Sequence, residues 1–169
     1  KGGCIMSYKS YLPAIMVVLI LILIGCGERK KVDVEAEKTK IDSVITAFNS
    51  AVEQQDWETL SKYVSDDWTH YSHLGTKWSI DEMRGFFAQH IKDHTINLSN
   101  KKIEISESGD LAWATFDENT SLTFDGNPAN INAIFTAIFK NQNGEWEMVH
   151  LHRSAEKPPM DTTSTVTTK

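Results

Sequence analysis

Cysteine is nearly missing from this chain. Only Cys4 and Cys26 occur in 169 residues, which excludes a disulfide framework and leaves any folded part to hold by packing alone. Basic charge is also in deficit: 17 lysines and arginines stand against 23 acids, a formal charge of -6. A nucleic-acid duplex or an anionic headgroup would be repelled by that balance, so no nucleic-acid partner is expected. No glycine-rich loop of the phosphate-cradling type occurs, which argues against nucleotides, and nothing points to a cofactor. A Gly-x-Ser-x-Gly elbow is lacking too, and Ser154 and His152 share one predicted strand, which sets aside a serine hydrolase built from them with Asp117. Long apolar runs are scarce. The strongest, Leu12 to Ile24, is shorter than the roughly 20 residues that a bilayer-spanning helix needs.

That short run has the shape of an export leader. Met6 is expected to be the start, with Met6-Ser7-Tyr8-Lys9 as a basic n-region and Leu12 to Ile24 as the apolar h-region. Leu23-Ile24-Gly25-Cys26 follows and resembles the lipobox of bacterial lipoproteins, in which the small residue fits the peptidase and the cysteine becomes the acylated N-terminus. Several acyl chains on Cys26 exceed what stable anchoring requires. The chain is therefore expected to be held to a membrane by lipid, with its folded part outside the cytoplasm. Loss of a leader carrying Lys1 and Lys9 and no acid takes the net charge to about -8.

The remainder divides by composition. Residues 26–36 are polar and charge-rich and read as a tether, 37–154 as one domain, and 155–169, rich in threonine after Pro158-Pro159, as a tail too poor in apolar residues to order itself. Within the domain, Ile41, Val44, Ile45, Phe48, Ala51 and Val52 recur at helical spacing and predict a long amphipathic helix over about 37–54. Asp56 is placed to cap a short second helix bearing Trp57, Leu60 and Val64. Asp67 to His73 changes to the strand period and stops at Gly75. Ser79-Ile80-Asp81-Glu82 fits a capping box for a third helix, with Met83, Phe86, Phe87 and Ile91 on one face.

Four β-rich runs complete the domain: His94 to Ser106, Ala112 to Phe124, Ala129 to Asn141 and Glu145 to Ser154. The turn signals Ser108-Gly109-Asp110, Asp125-Gly126-Asn127-Pro128 and Asn143-Gly144 separate them. This order predicts an α+β domain in which one curved antiparallel sheet wraps around the long N-terminal helix. The last strands carry apolar residues on both faces, Ile131, Phe135 and Phe139 against Ile134 and Ile138. A second covering layer is implied, and a homodimer through the sheet face is the expected source.

The Ile41–Val52 helix followed by Asp56-Trp57, and above all the ending Asn143-Gly144-Glu145-Trp146-Glu147-Met148-Val149-His150-Leu151-His152-Arg153-Ser154, resemble SnoaL-like domains of the nuclear transport factor 2-like superfamily. The resemblance covers about residues 37–154. It implies a cone-shaped, cystatin-like fold, and it leaves function open, because that fold hosts isomerases, polyketide cyclases, dehydratases and scaffolds.

Strand parity proposes a site. If Trp146 points into the cone, the two-residue period sends Met148, His150, His152 and Ser154 there as well, while Trp113 travels with Asp117, and Trp68 with His70. Three such strands converging on one cavity lined by tryptophans suit a small, largely apolar ligand. One reading makes Asp117 a general base with His70 or His150 as relay, as in SnoaL-like cyclases and steroid isomerases. A second assembles His70, His150 and His152 around a metal, with Asp117 supplying a carboxylate. The third asks only for a binding pocket displayed from a membrane, and it is the one carried forward. His90 and His94 are expected at the surface, Phe86, Phe87 and Trp57 in packing roles, and Trp78 in the loop before the third helix.

Overall fold

A computed structural model describes residues 32–155. The expected leader, Cys26, most of the tether and the threonine-rich tail lie outside the described residues.

The first helix, α1, runs Val34–Glu53. It starts three residues before the predicted position 37 because Asp33 caps it, accepting a hydrogen bond from the Ala36 N–H (3.2 Å), and Glu35 and Glu37 suit the positive end of the helix dipole. Ile41, Ile45, Phe48 and Val52 form its buried stripe. Asp56 then caps α2, Trp57–Leu60, by accepting from Thr59 N–H (3.0 Å). A 3-10 turn, Ser61–Tyr63, leads into β1, Val64–Tyr71. A two-residue strand, β2 (Lys77–Trp78), folds back on β1, so Trp78 sits on the sheet rather than in a loop. The capping box forms as read: the Ser79 hydroxyl accepts from Glu82 N–H and the Glu82 carboxylate from Ser79 N–H, opening α3 (Ile80–His90).

Strands β3 (Ile91–Ile105), β4 (Leu111–Phe124), β5 (Asn127–Gln142) and β6 (Glu145–Ala155) form the expected antiparallel meander. Its two tightest turns are Asp125-Gly126 and Asn143-Gly144, with positive φ at both central residues, as two-residue hairpins require. The sheet order is β2-β1-β6-β5-β4-β3, and β1 lies parallel to β6. The sheet is therefore mixed, which corrects the purely antiparallel expectation. A parallel pair needs a long crossover, and here the whole α3–β5 segment supplies it.

One face of the sheet is the core. On β4 the inward positions begin Ala112, Ala114, Phe116, and on β5 they are Ala133, Phe135, Ala137 and Phe139, all buried. Phe116 and Phe135 stack at 5.3 Å with their planes 4° apart. A polar pin fixes the helix on the sheet: the Trp146 indole N–H donates to Glu37 (2.7 Å), which also accepts from Lys40 (2.8 Å). Lys40 first, and then Trp146, hold the Glu37 carboxyl below the usual carboxylate range.

Candidate functional site

Beyond the alanine-lined part of the sheet, α1, α3 and the inner face enclose a cavity of about 670 Å³. Phe48 and Val52 of α1, Met83 of α3, Leu122 of β4, Phe135 of β5 and Leu151 of β6 are part of its apolar wall. Trp78 and Phe86 meet edge to face at 4.9 Å on another side of it. Near them His90 bonds Asp125 (2.8 Å) and stacks on Phe124 at 5.7 Å, which ties the end of α3 to the β4–β5 turn.

The polar side chains set in this wall are few and unusual. Glu118 of β4 is buried and accepts a short hydrogen bond from the Thr120 hydroxyl (2.5 Å). Arg153 of β6 lies 3.7 Å from the same carboxylate oxygen, with its guanidinium 5.8 Å from the centre of the Phe135 ring. Burial pushes the Glu118 carboxyl above its ordinary value, against the opposing pull of Thr120 and Arg153. His70 of β1 is buried too, and burial, followed by the charges of Arg153, His150 and His152, lowers its pKa to about 4. Its Nδ1 lies 3.4 Å from Met83 Sδ. Three buried atoms along this cavity have no hydrogen-bond partner among the described residues: His70 Nε2, His94 Nδ1 and Trp78 Nε1.

The family follows from comparison with known sequences. The model of the SnoaL-like domain matches residues 41–158, well over half of the chain. The chain belongs to this SnoaL-like family. Solved structures agree on the fold. A nuclear transport factor 2-like protein from Cytophaga hutchinsonii superposes with a TM-score of 0.62 at 14% identity, covering 70% of this chain and 98% of that one. A cystatin-like protein from Caulobacter vibrioides gives 0.64 at 18% identity over 73% and 92% of the two chains. A hexachlorocyclohexane dehydrochlorinase from Novosphingobium barchaimii gives 0.63 at 16% identity over 73% and 91%. No curated protein matches the chain in sequence. At such identities these structures establish the fold alone.

In this SnoaL-like domain the three strands do not converge as parity suggested. Trp146 and Met148 face inward and are buried in the core. The register of β6 against β5 then slips, with Phe139 opposite Met148 and Ile138 opposite His150, so Val149 is an extra residue. This β-bulge reverses parity. Leu151 and Arg153 turn inward, and His150, His152 and Ser154 turn to the outer face, where His150 bonds the Thr69 hydroxyl (2.7 Å). On β4 the inward set is Ala112 to Leu122 at even numbers, which leaves Trp113 and Asp117 outside. Trp113 is 48% exposed, and Asp117 accepts from Asn100 (2.6 Å) on β3. Asp117 is thus not in the cavity, and His70 and His150 lie on opposite faces and cannot share a metal. Among the described residues no cluster of metal-ligating side chains occurs.

His70 does line the cavity, and Trp68 of the same strand packs between Phe48 (6.0 Å) and His70 (5.6 Å). Trp68 borders a separate, more open depression of about 590 Å³ with Trp57, Asp66 and Arg84. His94, expected at the surface, is half-buried against Phe87 (5.4 Å) and lines the cavity, as Phe86 and Phe87 do. The sequence reading missed Glu118, Thr120 and Arg153. A signal for the first two was present: at the odd positions of β4, Thr115, Asp117, Asn119 and Ser121 are polar, whereas Ala112, Ala114, Phe116 and Leu122 define an even-numbered apolar face.

Proposed function

We propose that this domain captures a small, largely apolar molecule in the cavity between α1, α3 and the sheet, and that it does so displayed from a membrane by a lipid on Cys26. One observation carries the ligand: a cavity of about 670 Å³ walled by Phe48, Val52, Phe86, Leu122, Phe135 and Leu151, large enough for a small apolar body. The test uses a neutral phenylnaphthylamine fluorophore with the protein lacking its leader. The wild type should bind the dye with enhanced fluorescence, and Ala129→Trp, which projects an indole into the cavity from the β5 wall, should weaken binding roughly tenfold or more. Equal binding by the two proteins would refute the assignment.

His70 favours a second, catalytic reading. With its proton on Nδ1 and donated to Met83 Sδ, the neutral ring keeps its Nε2 lone pair free. Nε2 is itself buried, so proton removal from a carbon acid requires the ring to turn toward the cavity, where Arg153 would stabilise the resulting anion. One of the solved structures that share this fold is a hexachlorocyclohexane dehydrochlorinase.

We further propose that two copies pair through the outer sheet face. Trp113 and Ile138 are cross-strand partners there, 48% and 38% exposed, and Ile134 is 58% exposed. Apolar side chains clustered in this way are the expected core of a symmetric interface. Ile134→Lys should shift the sedimenting species from dimer to monomer, and a monomeric wild type would refute the pairing.

A further inference from the structure

The cavity carries charged side chains as well as an apolar wall. We propose that its ligand is an apolar monoanion, a carboxylate on an aromatic or aliphatic body, received by Arg153 with uptake of a proton at Glu118. This inference rests on the ligand-binding reading above and assigns the chemical class of the ligand.

The first support is geometric. Glu118 approaches Arg153 at 3.7 Å on one oxygen only, and none of the guanidinium N–H groups makes a hydrogen bond among the described residues. Arginine carries five donors in a planar fork that matches a carboxylate edge. The Arg153 side chain is 17% exposed against 7% for Glu118, and both residues line the cavity. Phe135 beneath the guanidinium and Leu151 beside it on β6 present apolar surface next to that head site.

Charge balance supplies the second support. Glu118 and Arg153 together are neutral, and a ligand carboxylate would leave the buried site with one excess negative charge. Burial penalises that charge heavily, and the cheapest relief is protonation of Glu118, a carboxyl already biased toward its neutral form. The protonated group keeps its contact with Thr120. The titratable and charged side chains on this cavity are Arg153 of β6, His70 of β1, His94 of β3 and His73 after β1, while α1 contributes the neutral Asn49. Glu53, at the end of α1, acts on His94. Burial holds His70, His73 and His94 toward their neutral forms, so none of them competes with Arg153 as the resident cation.

The experiment compares naphthoate with neutral naphthamide, each displacing the phenylnaphthylamine dye from the protein lacking its leader. The wild type should prefer naphthoate by roughly tenfold near neutral pH, the scale of a charge-assisted hydrogen bond. That preference should grow as pH falls toward the ordinary carboxylate range. Calorimetry in buffers of different ionisation enthalpy should register proton uptake with naphthoate and none with naphthamide. Arg153→Gln should bring the ratio of the two affinities to about one, and Glu118→Gln should abolish the proton uptake. The wild-type ratio stands without either variant, should one fail to fold. Equal or weaker binding of naphthoate with dye binding intact would overturn this inference and leave the cavity reading in place. Failure of the dye itself to bind would remove both.

Discussion

Replacing His70 by phenylalanine is expected to flatten the acid limb of the stability curve. The folded pKa of about 4 lies below the ordinary value of 6.5, because burial disfavours the charged ring. Between those values the unfolded chain binds more protons than the folded one, so the stabilisation is complete above about pH 6.5 and is lost as pH falls toward 4. From about pH 7.5 to about pH 5 this single group should cost the wild type about 2 kcal/mol, which the phenylalanine variant does not lose. His94 acts in the same direction, since burial lowers its pKa as well. Glu118 acts oppositely: its raised pKa makes the fold lose stability as pH rises above the ordinary carboxylate value. The difference between wild type and His70→Phe in urea midpoints at the two pH values isolates the histidine. Parallel curves would show that His70 is solvated and would contradict its burial.

Cys26→Ser is expected to have the largest effect in the cell. With a lipidated Cys26, the wild-type chain should fractionate with membranes and incorporate a fatty-acid analogue. Serine at this position cannot form the thioether on which acylation depends, and without acyl chains no stable anchor remains. Label incorporation should vanish, and the mutant should run as the longer, uncleaved precursor. A Cys26→Ser protein that still incorporates label and is processed would refute the anchor. The acidic balance of the rest of the chain supports the expectation, because an excess of acids gives no electrostatic hold on anionic lipid.

The fold was largely legible because its local signals agree with one another. The apolar period of α1, the Ser79 to Glu82 capping box, and the Asp125-Gly126 and Asn143-Gly144 turns all occur where the residues call for them. The parallel pairing of β1 with β6 had no such signal, since the partners are far apart in sequence and neither strand's pattern encodes direction. The site was less legible, for two reasons. A single bulge at Val149 exchanges the faces of every later residue in β6, and nothing in Met148-Val149-His150 marks the extra position. Tryptophan misled on one strand: Trp68 and Trp146 are buried, but Trp113 takes an odd-numbered position of β4, whose even-numbered positions face inward. His70 was found because the register irregularity of β1 lies before Thr69 and leaves Trp68 and His70 on one face, and Arg153 was missed because two histidines near it drew the chemistry to the wrong face.

The cavity itself is tested most directly by methyl NMR of the protein lacking its leader, titrated with the neutral phenylnaphthylamine dye. Val52, Leu122, Ile131 and Leu151 line the cavity, whereas Ile134 and Ile138 lie on the opposite face of the same sheet. The account predicts saturable shifts in the inner set with the outer pair unmoved. Shifts confined to Ile134 and Ile138 would place the ligand on the outer face and contradict it.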